Sequence, residues 1–340
     1  MGERLVVVKR GDQIESEHTG HIAVVDASGE LIASLGDPRR ITFARSTLKP
    51  LQAIPLVQSG ASERFLMSAK DIAICCGSHN GEERHVETVL SLLSRIGLDE
   101  HRLCCGAHAP YDGASYEALL AQGKKPTVLH NNCSGKHAGM LALALHLHSD
   151  IEGYGELQHP VQQRVFHTLC ELAELLPEEI QIGTDGCNLP TFGVPLHKLA
   201  RVFQLFANPN GIESHSLKLA VRQIAASMME QPEMVGGSDV LCTDLMNALP
   251  HRIIAKGGAE GVYCMGLVDK GIGIALKIDD GNYRAAYPAA IETLTQLGLI
   301  DQREKQLLHG YHYPPVTNRS GHIVGGIEPV FSLHFEKGAK

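Results

Sequence analysis

The sequence has no run of about 18 apolar residues, the length a helix needs to cross a bilayer, so no membrane span is expected. It has no block of like charge either. Its 30 Lys+Arg stand against 38 Asp+Glu, for a formal net charge of −8. A nucleic-acid binder tends to carry a basic face, so nucleic acid is not an expected partner. The N-terminus, MGERLVVVKRGDQIESEH, holds only the four apolar residues Leu5–Val8 in a row. That is too few for a signal-peptide core, and a cytoplasmic location is expected. The nine cysteines, at 75, 76, 104, 105, 133, 170, 187, 242 and 264, are odd in number and include two adjacent pairs. A secreted disulfide framework does not look like this, and reduced thiols are the expectation. Low-complexity linkers and fixed-period repeats are absent as well.

What is present is an ordinary globular composition. The 340 residues are 44% hydrophobic and 20% charged, enough to bury a sizeable core. The 35 glycines suggest many turns and close backbone approaches. Residues 4–8 read as a first strand, and 21–34 as a hairpin turning at Asp26–Gly29. A helix kinked by Pro55 is expected from about Thr47, with Pro50 tolerated in its first turn. Residues 81–97 begin with acids and end with Arg95 and Gly97, a polarity that suits a helix. Apolar spacing predicts further helices at 136–148, 160–175, 194–207, 214–229 and 238–248. Residues 252–256, 261–268 and 271–279 read as three strands, 284–298 as a helix and 322–327 as a final strand. Strands thus lie at both ends and helices between. The expected fold is one α/β (α+β) domain over residues 1–340. An antiparallel sheet from both chain ends (1–45 and 250–340) would be flanked by helices, with the mainly helical region 46–249 inserted.

Three short motifs carry the chemistry. Ser46-Thr47-Leu48-Lys49 is an S-x-x-K tetrad. On a helix the two residues share a face, and an amine of depressed pKa can take the serine proton. Ser78-His79-Asn80 has the form S-x-N, and Lys256-Gly257-Gly258 the form K-x-G. In that order the trio resembles the motifs of serine β-lactamases and penicillin-binding proteins. A K-x-G strand would set an ammonium and the backbone N–H of Gly257 beside the nucleophile, where an oxyanion develops. Taken singly, Ser78 also fits a helix cap and Lys256 a solvated strand end. Two departures stand out: Ser78 follows Ser46 by only 32 residues, and the extra deacylating glutamate of β-lactamases has no counterpart.

Two polar turns, Asn131–Gly139 and Thr184–Asn188, each carry a cysteine. Cys133 and Cys187 can supply two thiolates to zinc, with neutral Lys136 and a water as further ligands. They also fit as small buried residues.

Together ARSTLKP, CCGSHNGE, NNCSGKHAGM, TDGCNLPTF and AKGGAEGVY resemble the Rhizobium-type L-asparaginases, the class 3 or asparaginase II family, over nearly the whole chain. The resemblance implies a fold related to serine β-lactamases and glutaminases. It implies catalytic Ser46–Lys49 and Ser78–Lys256 pairs, with either serine as the covalent nucleophile. It also implies one Zn2+ at Cys133, Lys136 and Cys187 that assists substrate binding. His137 and Asp185 would lie beside metal and substrate, and Arg45, His79, Asn80 and Gly257 would complete the substrate contacts. The implied reaction converts L-asparagine to L-aspartate and ammonia in a homodimer. Other readings are a glutaminase or broader amidase, a β-lactam-binding enzyme, and a non-catalytic zinc or redox sensor.

Overall fold

The computed structural model of the chain describes residues 2–336; Met1 and residues 337–340 of the expected 1–340 domain lie outside them. The chain forms two compact units. One comprises Met1–Thr47, Val194–Asn208 and Asp244–Lys340, the other Leu48–Gly193 and Pro209–Thr243.

The first unit is a mixed α/β structure around an antiparallel sheet that joins both ends of the chain. Strand Glu3–Arg10 pairs on one side with Ile323–Pro329 and on the other with Gln13–Val25. The far half of Gln13–Val25 pairs with Ile272–Ile278 and with Leu31–Leu35. The sheet continues through Val262–Leu267 to Ile253–Gly258. Every residue of those last two strands is buried, so both faces of the sheet are covered there. The expected hairpin is present: Gly29, at φ +86°, closes the turn by donating to the Asp26 carbonyl at 2.9 Å. Its first strand begins earlier than expected, at Gln13. The added stretch is polar and mostly exposed, so it lacks the alternation that marks a half-buried strand.

Helix Leu196–Ala207 packs on this sheet, although its place in the sequence is among the helices of the middle. Glycine makes the approach possible. A Cβ on Gly266 would lie 2.4 Å from the Phe203 carbonyl oxygen, and one on Gly273 2.0 Å from that of Ala200. Helix Tyr283–Gln296 packs against Glu3–Arg10, Ile272–Ile278 and Ile323–Pro329.

The second unit is helical around Ser134–His146, which is buried at every position from Ser134 to Ala144. Helix Ala69–Cys75 lies against it and starts with a capping box made by Ser68 and Asp71. Gly135 and Gly139 set their separation. A Cβ on Gly135 would meet the Ile74 carbonyl oxygen at 2.4 Å, and one on Gly139 the Cys75 sulfur at 2.8 Å. Near residue 47 the single kinked helix expected from the sequence is replaced by a 3-10 turn, Arg45–Leu48, and two short helices, Lys49–Gln52 and Ile54–Gln58. Pro50 and Pro55 each open a helix, where a missing N–H costs nothing.

The glycine contacts make a stability prediction. Gly273→Ala puts a methyl group against the backbone of Leu196–Ala207 and should destabilise the protein by about 1–3 kcal/mol, the usual cost of overpacking. Gly310→Ala, with nothing within 4 Å of its Cβ position, should leave the thermal unfolding midpoint unchanged. Equal midpoints for the two variants would refute the close approach.

Candidate active site

In the sheet unit the tetrad serine and the K-x-G motif meet. Arg45 has φ +49°, a left-handed conformation uncommon for a residue with a side chain. Ser46 follows it on the 3-10 turn, which Thr47 fastens by donating its hydroxyl to the Ala44 carbonyl at 2.6 Å. The end of strand Ile253–Gly258 lies on this turn: a Cβ on Gly258 would fall 2.9 Å from the Ala44 carbonyl oxygen and 2.9 Å from Thr47 Cγ2. Lys256 is only 1% exposed and its ammonium donates to the Gly257 carbonyl at 2.7 Å. A solvated strand end is therefore ruled out for Lys256.

In the helical unit Lys49 meets Ser78. Lys49 is fully buried, with Nζ 2.6 Å from the Gly77 carbonyl oxygen, 3.0 Å from that of Asn132 and 2.9 Å from Ser78 Oγ. A neutral amine has two N–H groups and one lone pair. In that neutral form the two carbonyls would take the two N–H groups and the lone pair would face the Ser78 hydroxyl. The chemistry of a general base next to a serine is satisfied there. Ser78 stands just beyond helix Ala69–Cys75, and its own N–H donates to the Val235 carbonyl at 2.8 Å. It is not a helix cap, because helix Glu83–Arg95 is capped by Glu82. His79 packs inside the turn. It is fully buried, lies 2.9 Å from Ser134 Oγ and stacks on His85 at 4.8 Å. That makes it a support of the turn. Burial, reinforced by His85 and Lys49, keeps its pKa well below the usual imidazole value. The Asn80 side chain donates to the Ser238 carbonyl at 3.3 Å.

The expected metal ligands also converge within this unit. Cys133, Lys136 and Cys187 are 5%, 3% and 4% exposed, and Lys136 Nζ lies 3.0 Å from Cys187 Sγ. Cys187 comes from the loop between strands Gln181–Thr184 and Pro190–Pro195. A hydrogen bond from Cys187 pulls the Cys133 thiol well below its usual pKa against the cost of burial, helped by Lys49 and Lys136. The same hydrogen bond and burial push Cys187 up. Burial disfavours the Lys136 ammonium, but Cys133, Cys187 and Asp185 outweigh it and raise its pKa. Two thiols and an amine, close together and screened from water, are a donor set that zinc accepts. Among the described residues, no group of three or more His, Cys, Asp or Glu is placed to hold a metal.

His137 is fully buried; its Nδ1 lies 2.7 Å from the Tyr154 hydroxyl, which accepts from the Cys104 N–H at 3.0 Å. Sequence reasoning missed Tyr154 and Cys104, which lie outside the recognised motifs. It also missed Asn131. That side chain accepts from the Cys133 N–H at 2.8 Å and donates to the carbonyls of Cys105 and Gly106, each at 2.9 Å. Asn131 does lie inside a motif, but a buried amide gives no sign in sequence of which loops it will tie together.

The family model for L-asparaginase II matches residues 6–329. Among solved structures, a β-lactamase from Mycobacterium bovis aligns over 86% of this chain and 95% of its own, with 15% identity and a TM-score of 0.41. No curated protein matches the sequence.

The Lys49–Ser78 contact predicts a chemical phenotype. Lys49→Met keeps the length of the side chain and removes the base. It should slow labelling of the protein's reactive serine by a fluorophosphonate by about 10²–10⁴-fold, the usual worth of a general base, in a protein that still unfolds cooperatively. Unchanged labelling would show that Lys49 does not activate that serine.

Proposed function

This chain belongs to the L-asparaginase II family, and we propose that it hydrolyses L-asparagine to L-aspartate and ammonia through an acyl-enzyme on Ser46. The observation that carries the reading is the buried Lys49 amine held by two carbonyls against Ser78 Oγ. Ser46 attacks the side-chain amide carbon, and Lys49 takes its proton. On collapse of the tetrahedral species Ser78 and Lys256 help pass that proton to the departing nitrogen, which leaves as ammonia. A water then attacks the ester and gives its proton to Lys49, which returns it to Ser46. Lys256 and the Gly257 N–H stabilise the oxyanion, and Arg45 and Asp185 hold the carboxylate and ammonium of the substrate.

Cys133, Lys136 and Cys187 are the residues that would hold zinc, and zinc would supply a positive centre that helps bind a small zwitterion. Asp185 and His137 support that site from beside it. All nine cysteines are free, and no helix among the described residues is long and apolar enough to cross a membrane; a cytoplasmic location is part of the proposal. The homodimer stays part of the proposal on family resemblance.

A glutaminase or broader amidase differs from this reading by one methylene in the substrate. In an apolar pocket that is worth only about 1–3 kcal/mol, so comparison of kcat/KM on asparagine and glutamine decides between them. A β-lactam-binding enzyme would instead show stable labelling by a fluorescent penicillin. A zinc or redox sensor would turn over no amide and would change partner binding with metal.

Asparagine should be the better substrate, and rapid quench of the wild type should trap one aspartyl group on Ser46. Ser46→Ala should abolish both the adduct and ammonia release; an adduct on Ser78 would reverse the roles of the two serines. Removing zinc with a chelator should mainly raise KM, and Cys133→Ala should do the same. A chelated enzyme with native KM and no turnover would place the metal in the bond-breaking step.

A further inference from the structure

Lys49 depends on the carbonyl of Asn132 for one of its two N–H acceptors, and the N–H of that same residue is held by His108. Asn132 N donates to His108 Nε2 at 3.0 Å, while His108 Nδ1 lies 2.7 Å from the Ala109 carbonyl oxygen. A carbonyl can only accept, so Nδ1 carries a proton. An amide N–H can only donate, so Nε2 presents a lone pair. One tautomer of neutral imidazole meets both demands. The half-buried ring is steadied by Tyr111, whose ring centre lies 4.8 Å away.

The rest of the turn is already fastened. Asn131 ties its start to Cys105 and Gly106, and the N–H of Cys133 is held by Asn131 Oδ1. The peptide plane before Asn132 is held at two ends: Ser134 N–H donates to the Asn131 carbonyl at 2.9 Å, and His108 takes the Asn132 N–H. The Asn132 carbonyl lies in the next plane, which Asn131 Oδ1 holds through the Cys133 N–H; His108 braces Asn132 from the other side, and its loss would loosen the aim of that carbonyl at Lys49.

We propose that His108 is a positioning residue for the Ser–Lys chemistry. It acts as a hydrogen-bond acceptor that fixes Asn132 and thereby aims the Lys49 lone pair at Ser78. The role rests on the hydrolytic reading above and extends it to a loop that none of the catalytic motifs contains. It requires acceptance at one point, not an imidazole as such, and it concerns the alignment of the base, not the binding of substrate.

The test compares His108→Phe, which keeps a ring against Tyr111 but cannot accept, with His108→Gln, whose amide oxygen can. Both are measured as full-length, zinc-loaded enzyme. In His108→Phe, exchange of the Asn132 amide hydrogen, followed without substrate, should quicken by about tenfold or more. Its kcat on asparagine should fall by about tenfold or more with KM within about twofold of native. His108→Gln should restore both. Native exchange and native kcat in the phenylalanine variant would overturn the proposal, and so would equal losses in the two variants or a change confined to KM. If the phenylalanine variant does not fold, the glutamine variant decides, since a loss of kcat or amide protection there contradicts an acceptor role. A wild-type chain that releases no ammonia from asparagine would overturn the substrate assignment instead, while the exchange measurement would still judge His108.

Discussion

The constraint on which the helical unit depends is the burial of Lys49. An amine taken wholly out of water forfeits several kcal/mol unless its donors and lone pair are met inside the protein. Two of its partners, the Gly77 carbonyl and the Ser78 hydroxyl, come from the end of helix Ala69–Cys75. The third, the Asn132 carbonyl, comes from the turn that starts helix Ser134–His146. The two helices must therefore lie close enough for one side chain to reach both. Gly135 and Gly139 allow this, since a side chain at either position would push against Ile74 or Cys75. Tight packing in this unit is thus a condition of its chemistry as well as of its stability.

The same turn joins two chemical groups that look separate in sequence. Its middle residue, Asn132, faces Lys49, and the next, Cys133, faces Cys187. The Lys136 ammonium, and Lys49 whenever it carries a third proton, both favour the Cys133 thiolate. A change in the protonation of one centre is felt by the other across little more than a peptide unit. The Ser–Lys pair and the thiol–amine cluster are best regarded as one electrostatic assembly.

Much of this was legible in the sequence. The strands near both ends and their closure into one antiparallel sheet followed from Val- and Ile-rich runs separated by glycine. The long amphipathic helices followed from apolar spacing. The motifs drew notice to Lys49 with Ser78 and to Lys136 with Cys187, pairs that the structure sets 2.9 Å and 3.0 Å apart. Three things were not legible, each for a physical reason. The polar first half of Gln13–Val25 is held by its neighbours and not by a buried face, so it carries no pattern. Leu196–Ala207 sits on the sheet because Gly266 and Gly273 leave room for it, and a glycine in a strand does not announce what fills the space. Lys49 is directed to Ser78 by carbonyls from two distant segments, which no reading of the spacing within S-x-x-K reveals. The packing of the His79 ring between His85 and Ser134 was not legible either, because its place inside a motif says nothing of its neighbours.

The sheet unit is assembled from three stretches of chain, and its strand Glu3–Arg10 lies between a neighbour from the start of the sequence and one from its end, Ile323–Pro329. During synthesis the first strands leave the ribosome with one edge unpaired, and they stay so until almost the whole chain has been made. Through that interval a row of open N–H and C=O groups is available to any other extended segment. The polar, charged residues of Gln13–Val25, with Glu15, Glu17 and His18 among them, make the nascent hairpin a poor template for such pairing. Their value then lies in the life of the unfinished protein, before there is an active site to serve.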